Sequence, residues 1–99
     1  MGNKSLKVIT LNSWGGRLLD SLLDFLKRKS KETDVFCFQE LLFGKEPRFT
    51  AENYRENLFD EMRAALPDFH SYPRYAPEGA YFDKARMDDF RVGQAIFVK

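Results

Sequence analysis

The sequence has little of what several protein classes require. It holds one cysteine, Cys37, and one histidine, His70. A disulfide framework and a cysteine zinc site are thereby excluded, as is any site built on two histidines. No run approaches the ~18 apolar residues of a membrane-spanning helix. Charge of neither sign dominates: 16 Lys and Arg stand against 15 Asp and Glu, a formal charge of +1. A polyanionic partner must therefore be gripped by local geometry and not by a bulk field. Residues Met1 to Ser5 lack the apolar core of a secretory signal, and Leu6 stands where a myristoylation motif carries Ser or Thr. A cytoplasmic location is the default expectation. No internal repeat or low-complexity tract is present.

What remains is a globular balance, 43% hydrophobic and 31% charged, so wholesale disorder is not expected. The 99 residues suit one domain or part of one. Leu6 to Leu11 is short, β-branched and apolar, and predicts a strand. Asn12-Ser13-Trp14-Gly15-Gly16 then reads as a turn. From Arg17 to Lys29, apolar residues at Leu18, Leu19, Leu22, Leu23, Phe25 and Leu26 predict an amphipathic helix. Its basic end (Lys27, Arg28, Lys29, then Lys31) suits the helix dipole and is read as a solvated terminus. Val35 to Gln39 predicts a second strand whose unbroken apolar run implies burial on both faces. Strand, helix and strand make a βαβ unit with parallel strands.

Leu41 to Phe49 reads as a loop. Thr50 is placed as the N-cap of a second helix reaching Leu66, which Pro67 ends. His70 to Tyr75 predicts a third strand, weakened by Pro73. Ala76 to Arg91 reads mostly as loop. Gly93 to Val98 predicts a fourth strand with nothing after it to pair with. Cys37, inside an apolar run, is read as a small buried core residue. The aromatics Tyr72, Tyr75, Tyr81 and Phe82 are read as core in preference to a base-stacking platform.

Asn12 follows the first strand and Glu40 follows the second. In a parallel pair both fall at the same sheet edge, about 4.8 Å apart in strand spacing. Ligands of open α/β sheets bind outside this edge. A carboxylate beside a carboxamide offers hard oxygen donors, which suit Mg²⁺ or Mn²⁺. Ordinary strand ends explain the same two residues. Gln39 is either a supporting partner of Glu40 or simply a strand residue. The Trp14-Gly15-Gly16 turn is read as structural and not as a phosphate loop. His70 has no acidic partner at a useful spacing. Asp83, Asp88 and Asp89, among Lys84, Arg86 and Arg91, are read as a solvated, salt-bridged loop.

Three segments together resemble one family. Leu6 to Gly15, with its Asn turn, is similar to the opening strand of the endonuclease/exonuclease/phosphatase superfamily. Asp34-Val35-Phe36-Cys37-Phe38-Gln39-Glu40 resembles that family's strand ending in Gln-Glu. Gly93-Gln94-Ala95-Ile96-Phe97 is similar to its later Gly-x-Ala-Ile strand. The resemblance covers residues 1–99 but only the amino-terminal portion of the family domain. It implies a two-sheet α/β sandwich with helices on the outer faces. It also implies a Mg²⁺-dependent (or Mn²⁺-dependent) phosphoesterase acting on a phosphate-ester substrate, with Glu40 as a metal ligand and Asn12 beside the metal. The family's catalytic histidines, Asp-x-Asn motif and Ser-Asp-His motif do not occur here, so the isolated chain is expected to be inactive. Two other readings stand beside it. A non-enzymatic half-domain would bind a partner, or self-associate, through uncovered apolar surface. An unrelated βαβ domain would carry Asn12 and Glu40 as plain strand ends.

Overall fold

A computed structural model describes residues 5–75, 81–82, 85–86 and 91–99. β1 (Val8–Asn12) leads through a 3₁₀ turn at Trp14–Gly16 into α1 (Leu19–Lys29) and then β2 (Val35–Phe43). α2 (Leu58–Ala65), β3 (His70–Tyr75), the two-residue strands β4 (Tyr81–Phe82) and β5 (Ala85–Arg86), and β6 (Arg91–Val98) follow. One sheet has the order β1-β2-β6-β3, and β4 pairs with β5 as a separate ribbon. β1 and β2 are parallel, as the βαβ reading requires. β6 runs antiparallel to both β2 and β3. It therefore occupies the middle of the sheet, paired on both sides with strands that precede it, and it is not left unpartnered.

The sheet order explains where the core sits. β1 to β2 and β2 to β3 are helix-bearing crossovers that step the same way across the sheet. Crossovers of one hand stepping in one direction place their helices on one face. Leu22 and Leu26 of α1 and Leu58, Phe59 and Met62 of α2 accordingly meet Phe36, Phe38, Leu41, Ala95 and Phe97 in a single cluster. Phe38 lies edge-on to Phe97 with ring centroids 5.4 Å apart, a favoured aromatic geometry.

The opposite face follows by strand alternation. It carries Val8, Thr10, Cys37, Ile96 and Tyr72 in register. Tyr72 is 61% exposed and Ile96 46%. Three expectations are corrected by this asymmetry. β2 is not buried on both faces among the described residues, because no helix crosses behind it. Cys37 is half-buried on the open face and not in the core. Tyr72 is exposed on the open face, whereas Tyr75 lies on the helix-covered side at the sheet edge, partly exposed, with its ring centroid 5.0 Å from that of Phe43. The side chains of Tyr81 and Phe82, and the loop acids Asp83, Asp88 and Asp89, lie outside the described residues.

The second helix is shorter than its periodicity suggests. Asn53 has φ +71°, which a right-handed helix cannot contain. Thr50 does not cap α2; its Oγ1 accepts the Tyr54 N–H at 3.1 Å in a local turn. Tyr54 spends its apolar surface on the Trp14–Gly16 turn, where a Cβ at Gly15 would meet its ring. With φ of +62° and +77°, Gly15 and Gly16 supply a backbone that other residues adopt only with strain. At α1 the basic end is solvated as expected, with Arg28 paired to Asp24 at 2.9 Å and Lys29 to Glu32 at 3.1 Å on the surface.

The loop between β2 and α2 is organised by Glu56, which is only 3% exposed. Its carboxylate accepts the Glu46 N–H at 2.9 Å and Arg48 Nε at 2.7 Å. Burial works to raise its pKa, but these donors and the Lys45 N–H outweigh burial and hold it below its ordinary value. A depressed carboxyl stabilises the fold above its unfolded pKa and loses that contribution as the pH falls through the folded pKa. Glu56→Gln is therefore expected to lower stability at neutral pH and to flatten the acid limb below the ordinary value of 4.5. Urea melts from pH 7 down to pH 3 measure both effects.

Candidate functional site

The edge where β1 turns away gathers the predicted residues, with two changes of detail. β1 extends through Asn12, which pairs in register with Gln39. β2 does not end at Gln39: it continues through Glu40 to Phe43, so Leu41–Phe43 is strand and not loop. The continuation is possible because β2 carries a bulge. Phe38 pairs with Ala95 and Leu41 with Gly93, so Gln39 and Glu40 together oppose Gln94. One extra residue is absorbed there, and the bulge re-aims what it carries.

Glu40 has φ +55°, a left-handed conformation costing a non-glycine residue about 1–2 kcal/mol. Its half-buried carboxylate has no hydrogen-bond or ion-pair partner among the described residues. An acidic residue held in a strained bulge, without a protein contact to justify the strain, is the pattern of a functional position.

Asn12 is one register step away on the neighbouring strand. Its Oδ1 accepts the Trp14 N–H at 2.8 Å, closing the turn. Ser13 N–H bonds Gln39 O at 2.9 Å and extends the ladder by one link. No hydrogen bond joins Asn12 to Glu40 directly. Gln39 is no partner of Glu40 either; its Nε2 donates to Cys37 O at 3.4 Å.

The same level of the sheet shows two residues that the sequence did not single out. Gln94 opposes the bulge, and Arg74 pairs with Gln94 on β3. Asn12, Gln39 with Glu40, Gln94 and Arg74 thus form one polar row across four strands, next to the apolar row of Cys37, Ile96 and Tyr72. Arg74 is exposed, and its guanidinium has no hydrogen-bond or ion-pair partner among the described residues. A positive group and a carboxylate two strand spacings apart, about 10 Å, span the size of a phosphate and its counter-ion. No local sequence pattern marks Arg74, because its alignment with the site depends on β6 being inserted between β2 and β3.

His70 does not belong to this site. It pairs with Val98, which pairs with Val35 at the other end of β2. Five residues of strand, roughly 17 Å, separate that level from Glu40. Among the described residues, no three His, Cys, Asp or Glu side chains gather as a metal-binding group. Glu40 and Asn12 nevertheless fit a hard divalent cation as part of a shell, because Mg²⁺ commonly takes one or two carboxylates and completes its coordination with water and substrate phosphate. The unpartnered Glu40 carboxylate is the observation that fits this use.

Comparison with known proteins finds the same architecture. An endonuclease/exonuclease/phosphatase family protein from Leptotrichia buccalis C-1013-b superposes with a TM-score of 0.57 at 16% sequence identity. The match covers 95% of this chain and 38% of that one. The fold is of that α/β kind. No family model and no curated protein matches the sequence. No helix among the described residues is long and apolar enough to cross a membrane.

Proposed function

We propose that these 99 residues are the amino-terminal part of a Mg²⁺-dependent phosphoesterase domain, with Glu40 as a metal ligand and Asn12 beside the metal. The observation that carries the reading is the bulge at Glu40. It is supported by the likeness in fold and by the polar row that ends at Arg74. Mg²⁺ or Mn²⁺, when bound, neutralises charge on a phosphate oxygen. The chain's own residues would position that chemistry. Glu40 fixes one coordination site, Asn12 holds the turn that shapes the edge, and Arg74 offers a cation to the phosphate from the far side of the row.

A base to activate water is not supplied by this row, and His70 lies at the wrong end of the sheet. The isolated chain is therefore expected to leave bis(p-nitrophenyl) phosphate intact in Mg²⁺. If the native polypeptide is larger, it should hydrolyse a phosphate ester in Mg²⁺ and lose at least about a hundredfold in turnover on Glu40→Gln. Hydrolysis by the larger polypeptide that survives Glu40→Gln contradicts the reading.

A second reading rests on the open sheet face. Val8, Ile96 and Tyr72 leave apolar surface uncovered, which suits a binding module. Self-association insensitive to salt and abolished by Ile96→Asp, without any metal binding at Glu40, would favour it.

A further inference from the structure

Beside the polar row lies a recess that the proposed chemistry does not use. It is about 250 Å³ and is formed where the Trp14–Gly16 turn meets α1. Asn12, Ser13 and Trp14 stand at its β1 end, and Leu18, just before α1, and Ser21, Leu22 and Phe25 of α1 line its length. Ser21 and Leu22 lie four and three residues before Phe25, so the three share one side of the helix.

Two of the lining residues expose apolar surface that the fold does not cover. Leu18 is 62% exposed and Trp14 48%. The recess is therefore polar at one end and, apart from Ser21, apolar along its length. Its polar end shares Asn12 with the candidate metal site. Ser13 stands there too, its buried hydroxyl without a hydrogen-bond partner.

The size and chemistry of the recess restrict its occupant. Drug-sized pockets run to about 300–1,000 Å³, so this one takes a single chain or ring and not a protein segment. A nucleobase needs partners for several donors and acceptors along its edge, and along the length of the recess Ser21 is the one polar side chain among Leu11, Leu18, Leu22 and Phe25. An alkyl chain needs none. The formal charge of +1 also gives no general grip on a nucleic-acid backbone.

We infer that the recess holds the apolar ester group of an amphiphilic phosphate ester whose phosphate sits at Asn12 and Glu40. The inference rests on the phosphoesterase reading and narrows its substrate to a phosphate ester carrying an alkyl chain. It requires affinity to rise with chain length, by roughly fourfold per methylene buried.

Trp14 is the sole tryptophan of the chain, so its emission reports on the recess directly. The 99-residue chain is titrated with ethyl phosphate, hexyl phosphate and AMP in Mg²⁺. Hexyl phosphate is expected to change the Trp14 emission and to bind at least tenfold more tightly than ethyl phosphate. Leu18→Glu, at a position outside the core, is expected to erase that preference. Equal affinity for the two alkyl phosphates, or an unchanged emission, overturns the inference. So does tighter binding of AMP, which would assign the recess to a base, or a chain-length preference that survives Leu18→Glu. The underlying reading fails separately. A Leu18-dependent preference unaffected by Glu40→Gln and by chelation of Mg²⁺ would keep the recess and remove the metal from beside it.

Discussion

Gly93→Ala is expected to destabilise the fold by about 2–3 kcal/mol, close to the upper range for a single overpacking change. Gly93 lies on β6 between Leu41 of β2 and Tyr75 of β3. A Cβ at this position would strike Arg74 O and Tyr75 Cα. Both obstacles are backbone, so no side-chain rotation relieves the clash. The strands must separate, and β3 is the edge strand that can move. The shift would carry Arg74 out of the polar row. For a chain of this length the loss corresponds to a fall of about 10–20 °C in the melting temperature. Calorimetry of the wild type and Gly93→Ala checks it. A fall below about 3 °C would mean that β3 does not pack on β6 as closely as described.

Two substitutions at Glu40 are expected to separate stability from function. Glu40→Gln keeps the shape and removes the charge. Stability should change by less than about 0.5 kcal/mol, because the carboxylate has no partner to lose among the described residues. Divalent-cation affinity should fall at least about tenfold. Glu40→Gly removes the charge and also relieves the positive φ of 55°. The relief is partly offset by the greater freedom of glycine in the unfolded chain, leaving a gain of about 0.5–1 kcal/mol. A more stable protein that no longer binds metal is the behaviour of a residue kept for chemistry. If Glu40→Gln instead cost about 2 kcal/mol or more and left metal affinity unchanged, the bulge would be structural.

The parts of the fold that were legible in the sequence are those governed by local periodicity. Leu22 and Leu26 announce α1, and Val8–Leu11 and Val35–Phe38 announce a parallel pair, because each pattern needs only its own neighbours. Edge effects were legible too. Asn12 ends β1, and although β2 runs on through Glu40 to Phe43, the structure keeps the two residues one register step apart. What was hidden depends on distant partners. Leu41-Leu42-Phe43 gives no alternating pattern, so its continuation as strand is visible only once β6 lies beside it and the bulge takes up the extra residue. Tyr54 fits a helical period but is claimed by Gly15, and Asn53 breaks the helix there. Tyr72 reads as core in the sequence, and its register partner Ile96 falls in a predicted strand. They lie on an open face because both helices cross on the other side. Arg74 and Gln94 join the site through strand order alone.

The central claim, that Glu40 anchors a divalent cation at the end of β1, is tested most directly by amide NMR of the 99-residue chain during titration with Mn²⁺. Paramagnetic broadening is expected first at Asn12 to Trp14 and Gln39 to Leu41, reversed by excess Mg²⁺ and absent in Glu40→Gln. Broadening centred on other acidic residues, or broadening at Gln39 to Leu41 that persists in Glu40→Gln, would contradict it.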